Sequence, residues 1–243
     1  MGEQRVTLAT THDQIQKFEK TILKDMRMLD KMLNNGWFND KTTRIGAEQE
    51  LNLIDKQGKA LPESERVLEI LGEGNYTTEL AKFNLEINLE PLEFTADCLS
   101  VMESNLNSEI EAVRNAVNEI GGDLLLSGIL PTIRKRDVEM DNLTPFPRYK
   151  ALCDAINKLR GENFELRIQG MDELLMRLDS PLLEASNTGF QVHLQIRPEE
   201  FVNKYNHAQA ITGPLLAIAV NSPMLFGKRL WAETRIALFR SEE

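Results

Sequence analysis

The sequence predicts an α+β protein with a mostly antiparallel sheet and flanking helices. Two observations carry that reading. The runs RIGAEQELNLID (Arg44 to Asp55) and KFNLEINLE (Lys82 to Glu90) alternate polar and apolar residues at a period of two. Such strands bury one face, as antiparallel strands do, whereas strands of a doubly wound parallel sheet read as continuous apolar runs. No Gly-rich phosphate loop of the P-loop or Rossmann kind accompanies them.

The elements follow in order. Ile15, Phe18, Ile22, Leu23, Met26, Leu29 and Leu33 fall at three- and four-residue steps, which predicts a helix capped by Thr11 or Asp13 and stopped by Asn34-Asn35-Gly36. In the first strand Ile45, Ala47, Gln49, Leu51 and Leu53 oppose Glu48, Glu50 and Asn52, and Lys56 to Lys59 form a turn. In the second, Phe83, Leu85, Ile87 and Leu89 oppose Asn84, Glu86, Asn88 and Glu90; Pro91 interrupts it and Leu92 to Thr95 continue it. A helix is expected from about Leu99 to Ile120, ended by Gly121-Gly122, then a short strand from Leu124 to Pro131 and a helix over RYKALCDAINKLR stopped at Gly161. FELRIQ and FQVHLQI read as strands, a helix lies between Pro198 and Pro223, and a further element begins near Trp231. Without a repeat or a Pro/Gly/Ser-rich linker the chain reads as one domain behind an N-terminal helical segment (1–40).

The 243 residues suffice for a sizeable core. Net charge is -10, with 38 acidic and 28 basic residues, and no basic face is concentrated anywhere. That argues against a nucleic-acid partner. Cys98 and Cys153 are the only cysteines and sit in no CxxC or Cys/His cluster, as expected of two free thiols in a reducing compartment. The first residues contain no apolar signal core, and no run of about 18 apolar residues occurs. A cytoplasmic protein without a membrane partner is expected.

Glu48 and Glu50, two apart on a strand, point to one face, where like charges repel unless something positive lies between them. Alone, the pair also fits a solvated strand face. Glu86 and Glu90 share the polar face of their own strand, and Pro91 can bend Glu93 round to it. If the two strands pair, four or five carboxylates meet in one space, a donor set suited to a hard cation such as magnesium. His193 shares a face with Gln191 and Gln195 and fits a hydrogen-bonded structural role equally well. Arg235, in an apolar setting, could fork onto a carboxylate or phosphate, or pair with Glu233. No nucleophilic triad can be placed.

Together these segments resemble one family. RIGAEQELNL resembles the G-x-E-x-E strand that opens the catalytic domain of glutamate–cysteine ligase family two. LEINLEPLEFT resembles its second acidic strand, TGFQVHLQI its G-x-[QH]-V-H strand, and PFPRYKAL its H-P-F…R-Y region. ITGPLLAIAVNSPMLFGKRLWAETRIALF is similar to the helix, N-S-P turn and arginine segment that follow. The resemblance runs from about Arg44 to the C-terminus. It implies a glutamine synthetase-like fold, a curved sheet whose concave face holds magnesium (or manganese), ATP and glutamate. ATP would phosphorylate the γ-carboxylate of glutamate, and an amine such as cysteine would attack the acyl phosphate. By position in the motifs, Glu48, Glu50, Glu86, Glu93 and Gln191 are implied metal ligands, with Glu90 an alternative to Glu86 or Glu93. His193 is implied at the nucleotide phosphates, and Arg235 at substrate or phosphate.

Residues from about Gly161 to Ser186 look like an insertion, and the end at Glu243 looks like a truncation of a catalytic domain beginning at residue 41. A guanidino-kinase-like phosphotransferase and a catalytically incomplete ATP- and metal-binding module are the alternative functions. The acceptor amine and any homo-oligomer stay open.

Overall fold

A computed structural model describes residues 11–38, 41–160, 164–178 and 181–239, together with Val6. Gly161, where a helix stop was expected, and the terminal Glu243 lie outside the described residues. Helix α1 (His12–Asn34) is capped by Thr11, not Asp13. The Gln14 backbone N–H donates to the Thr11 hydroxyl at 3.3 Å, and the Thr11 N–H donates to the Gln14 side chain at 3.0 Å. Its apolar stripe is present but exposed, with no residue of the helix buried.

The rest of the chain forms β1 (Arg44–Asp55), α2 (Ser64–Leu71), β2 (Tyr76–Thr78), β3 (Asn84–Asn88), β4 (Leu92–Glu93), α3 (Cys98–Glu119) and β5 (Gly122–Leu125). Then come α4 (Pro147–Arg160), β6 (Phe164–Gln169), β7 (Glu173–Leu178), β8 (Phe190–Leu194), α5 (Phe201–Ile218), β9 (Met224–Leu225), β10 (Lys228–Arg229) and α6 (Arg235–Phe239). The fold is α+β, and among the described residues the named strands pair antiparallel. No helix among the described residues is long and apolar enough to cross a membrane.

The long strand β1 organises the sheet. Along one edge it pairs with β3 over Glu48 to Asn52 and with β4 over Arg44 and Ile45. Along the other it pairs with β8 over Ile45 to Gln49 and with β5 over Asn52 to Asp55. β2 extends the sheet beyond β3. The strand alternation sends Leu51 and Leu53 of β1, with Leu85 and Ile87 of β3, into a core closed by Val67 of α2 and by Val113 and Val117 of α3. Each of those four strand residues is 0 % exposed, and full burial of such a side chain stabilises by about 1.5–3 kcal/mol. A second core centres on Phe83 and gathers Ile129, Leu130, Leu166, Ile168, Leu182, Leu225 and Leu238.

Several elements depart from the sequence expectation. α2 and β2 fill a stretch to which the sequence reading assigns no element, and β3 ends at Asn88, leaving Leu89 and Glu90 outside it. β5 starts at Gly122 and stops at Leu125; the expected strand as far as Pro131 leaves the sheet. There the Ser127 carbonyl accepts from the Asn52 side chain and the Thr188 hydroxyl, and the Gly128 N–H donates to Asn221 at 2.9 Å. Side-chain and loop partners thus replace the ladder. β6 and β7 form a hairpin of their own, with Leu166, Ile168 and Leu174 buried in the second core. A bidentate contact of Arg229 on Asp172 (3.0 and 3.1 Å) ties it to the β9–β10 hairpin and holds the Asp172 carboxyl down to about 2. On β8 the alternate residues Phe190, Val192 and Leu194 stay exposed, and no residue of α5 is buried.

Candidate metal and phosphoryl site

The even-numbered residues of β1 face away from the α2–α3 core. Register carries that polar face across the sheet, with Glu50 opposite Glu86, Glu48 opposite Asn88 and Gln191, and Gly46 opposite His193. Directly opposed residues share a face with their β-carbons about 5 Å apart. Glu86 therefore meets Glu50 because two alternating strands pair in this register.

A third carboxylate completes the group. Glu79 follows β2, and one oxygen each from Glu50, Glu79 and Glu86 lies within 4.8 Å of the others. All three residues are half-buried. Burial, a hydrogen bond with Glu86 and the charges of Glu50 and Glu86 push the Glu79 carboxyl up to about 8. Burial also raises Glu50, although the Gly189 backbone N–H (2.8 Å) and the Gln191 amide (3.4 Å) both donate to it and favour its charge. Three carboxylates drawn together against their own repulsion fit a hard divalent cation, for which oxygen donors at this spacing are the ordinary ligands.

Glu50, Glu86 and Gln191 are thus brought together. Glu48 lies beside them on the same face, its oxygen 3.6 Å from His193 Nε2. Glu93 is not brought in. It sits on β4 opposite Arg44, and Arg44 is six residues along β1 from Glu50, a span of roughly 20 Å at strand rise. Glu90 is also outside the carboxylate group, lining with Arg44, Glu48, His193 and Gln195 a neighbouring cavity of about 510 Å³. The residue that sequence reasoning missed is Glu79. No alternation could have found it, because it lies between β2 and β3 outside both strands.

Arg235 lies at the opposite wall. Its guanidinium forks onto Glu233 at 2.6 and 2.7 Å and donates to the Thr188 carbonyl at 2.7 Å, one residue from the amide that holds Glu50. The pairing with Glu233 left open by the sequence is therefore made. Burial pushes the Glu233 carboxyl up, but hydrogen bonds from Arg235 and Ser222 outweigh it and hold the group below its ordinary range. Gly128 leaves the room, since a β-carbon there would stand 2.7 Å from Arg235 Nε.

With this geometry in view, the family model for glutamate-cysteine ligase family 2 matches residues 44–242. The chain belongs to that family. The match begins where β1 begins and spans Glu48, Glu50, Glu79, Glu86, Gln191, His193 and Arg235. It leaves out α1. Among curated proteins no significant match was found. Membership of glutamate-cysteine ligase family 2 implies a carboxylate–amine ligase acting on small molecules.

Proposed function

We propose that the protein is an ATP- and divalent-cation-dependent ligase joining glutamate to an amine, with cysteine as the acceptor. The observation that carries this reading is the convergence of Glu50, Glu79 and Glu86 on the polar face of the sheet of a family member. The same reading takes the sheet as part of a glutamine synthetase-like fold.

In this proposal Glu50, Glu79 and Glu86 hold magnesium or manganese, with Glu48 and Gln191 next to them as further oxygen donors. A bound cation would supply positive charge to offset the phosphates of ATP. His193 and Arg44, in the adjoining cavity, are suited to phosphate oxygens. Arg235 keeps its fork on Glu233 while its charge acts on Glu50, so it holds the Thr188–Gly189 wall and adds positive potential there. The γ-phosphoryl group passes from ATP to the glutamate γ-carboxylate. The amine nitrogen then attacks the activated carbonyl carbon, the bond to phosphate breaks, and the nitrogen gives up a proton. The protein's share is positioning and electrostatic stabilisation.

The test measures ADP and inorganic phosphate with magnesium, ATP, glutamate and a panel of amines, with guanidino acceptors as controls. Equal release of ADP and phosphate that depends on both glutamate and an amine is expected. ADP with a stable phosphorylated acceptor and no free phosphate would instead identify a phosphotransferase, and no turnover with intact cation binding would leave a binding module.

A further inference from the structure

We infer that Thr144 and Tyr149 are positioning residues that fix Glu79 in the carboxylate group. This rests on reading Glu50, Glu79 and Glu86 as a cation site.

Glu50 and Glu86 are held by the β1–β3 ladder, in which each lies opposite the other. Glu79 has no such support, for it falls in the irregular stretch between β2 and β3. A carboxylate on unsupported backbone would drift from two neighbours that repel it. The segment before α4 provides the missing support. The Thr144 hydroxyl donates to the Glu79 carbonyl at 2.6 Å, and the Thr144 N–H donates to the Leu80 carbonyl at 2.9 Å. The Tyr149 hydroxyl donates to the Thr78 carbonyl at 2.8 Å, and the Lys82 N–H donates to Asn142 at 2.9 Å. Residues 78–82 are thereby laced on both sides of Glu79.

Burial makes these contacts more than surface decoration. Thr144 is 0 % exposed, Tyr149 6 % and Thr78 7 %, so each hydroxyl and carbonyl depends on its protein partner. The Arg148 guanidinium lies 5.0 Å over the Tyr149 ring and holds that ring in place. Outer partners of this kind orient ligands and govern cation affinity without touching the ion.

Titration of the protein with Mn²⁺, followed by the loss of its free-ion paramagnetic resonance signal, tests the inference. Thr144→Val and Tyr149→Phe each remove one hydroxyl at nearly constant shape, and each should weaken Mn²⁺ binding roughly tenfold. Thr144→Ser, which restores the hydroxyl, should bind within about twofold of the wild type, the range of a neutral substitution. Wild-type affinity in both Thr144→Val and Tyr149→Phe would overturn the inference. A measurement on the wild type alone guards against variants that do not fold. Mn²⁺ should slow amide exchange across 142–149 as well as 78–88, and protection confined to 78–88 would also overturn it. A wild-type protein that binds no Mn²⁺ would overturn the cation reading itself.

Discussion

Glu79 and Glu86 each place a carboxylate oxygen within 4.8 Å of the other, with Glu50 equally near. Two carboxylates are both acceptors, so a pair this close is relieved when one of them carries a proton. Burial and the charges of Glu50 and Glu86 favour that proton on Glu79, whose carboxyl is pushed up to about 8. A cation bound by these carboxylates would displace such a proton.

The stability of the cation-free protein should therefore fall with rising pH. Glu79 is raised in the folded state from its ordinary 4.5 to about 8, so the folded state holds a proton that the unfolded chain has released. That contribution is fully present below about 4.5 and is lost as pH climbs to about 8. Melting temperatures in EDTA at pH 5, 6.5 and 8 should decrease in that order, and saturating Mn²⁺ should remove most of the decrease. A flat profile in EDTA would show that Glu79 is ionised throughout.

Glu79→Gln should separate stability from binding. The amide keeps the shape and removes one repelling charge, so the variant in EDTA should melt no lower than wild type at pH 8. Its Mn²⁺ affinity should fall by about tenfold or more, because losing a ligand costs at least as much as losing a group that orients one. Isothermal calorimetry in buffers of different ionisation enthalpy should also show that wild type releases about one proton on binding at pH 7 and the variant fewer.

Glu93→Gln is the control that the strand register supplies. With Glu93 at the Arg44 end of β1, its removal should leave Mn²⁺ affinity within about twofold of wild type, as for an exposed substitution away from a site. A tenfold loss would bring Glu93 into the group after all.

The Arg235–Glu233 pair should be costly to break. Glu233 is 5 % exposed, and Arg235→Ala leaves its carboxylate buried with only the Ser222 and Asn221 contacts. About 3 kcal/mol of destabilisation in urea is expected, the low end for a broken buried pair. Gly128→Ala should act on the same contact by pushing the guanidinium aside, at a cost of about 1–3 kcal/mol. Additive losses in the double variant would mean that the two positions are independent.

Much of this fold was legible because two-residue alternation and helical stripes are local signals. β1, β3, α1, α3, α4 and β8 lie where their periodicity places them. α2, β2 and the β9–β10 hairpin were not legible. They are short, and β2 is held by cross-strand bonds to β3, not by any alternation of its own. The site divides the same way. That Glu48, Glu50 and Glu86 would share one polar face was readable from alternation. Glu79 sits outside any alternating run, and only the three-dimensional path of the segment between β2 and β3 turns it inward. Glu93 is placed by register alone, since the chain after Pro91 returns to β1 at Arg44, not beside Glu50.

β8 reaches β1 from far along the chain, and the contact between Glu50 and Gly189 spans 139 residues. Closing so long a loop is entropically slow, and topologies dominated by distant pairings fold late. The site's wall at Gly189 and Gln191 can form only after ribosomal synthesis has passed β8, whereas Glu50, Glu79 and Glu86 are within reach of one another much earlier. During synthesis, a nascent three-carboxylate pocket would precede the finished one, and an ion captured then would tether β1, β2 and β3 before the distant strand emerges.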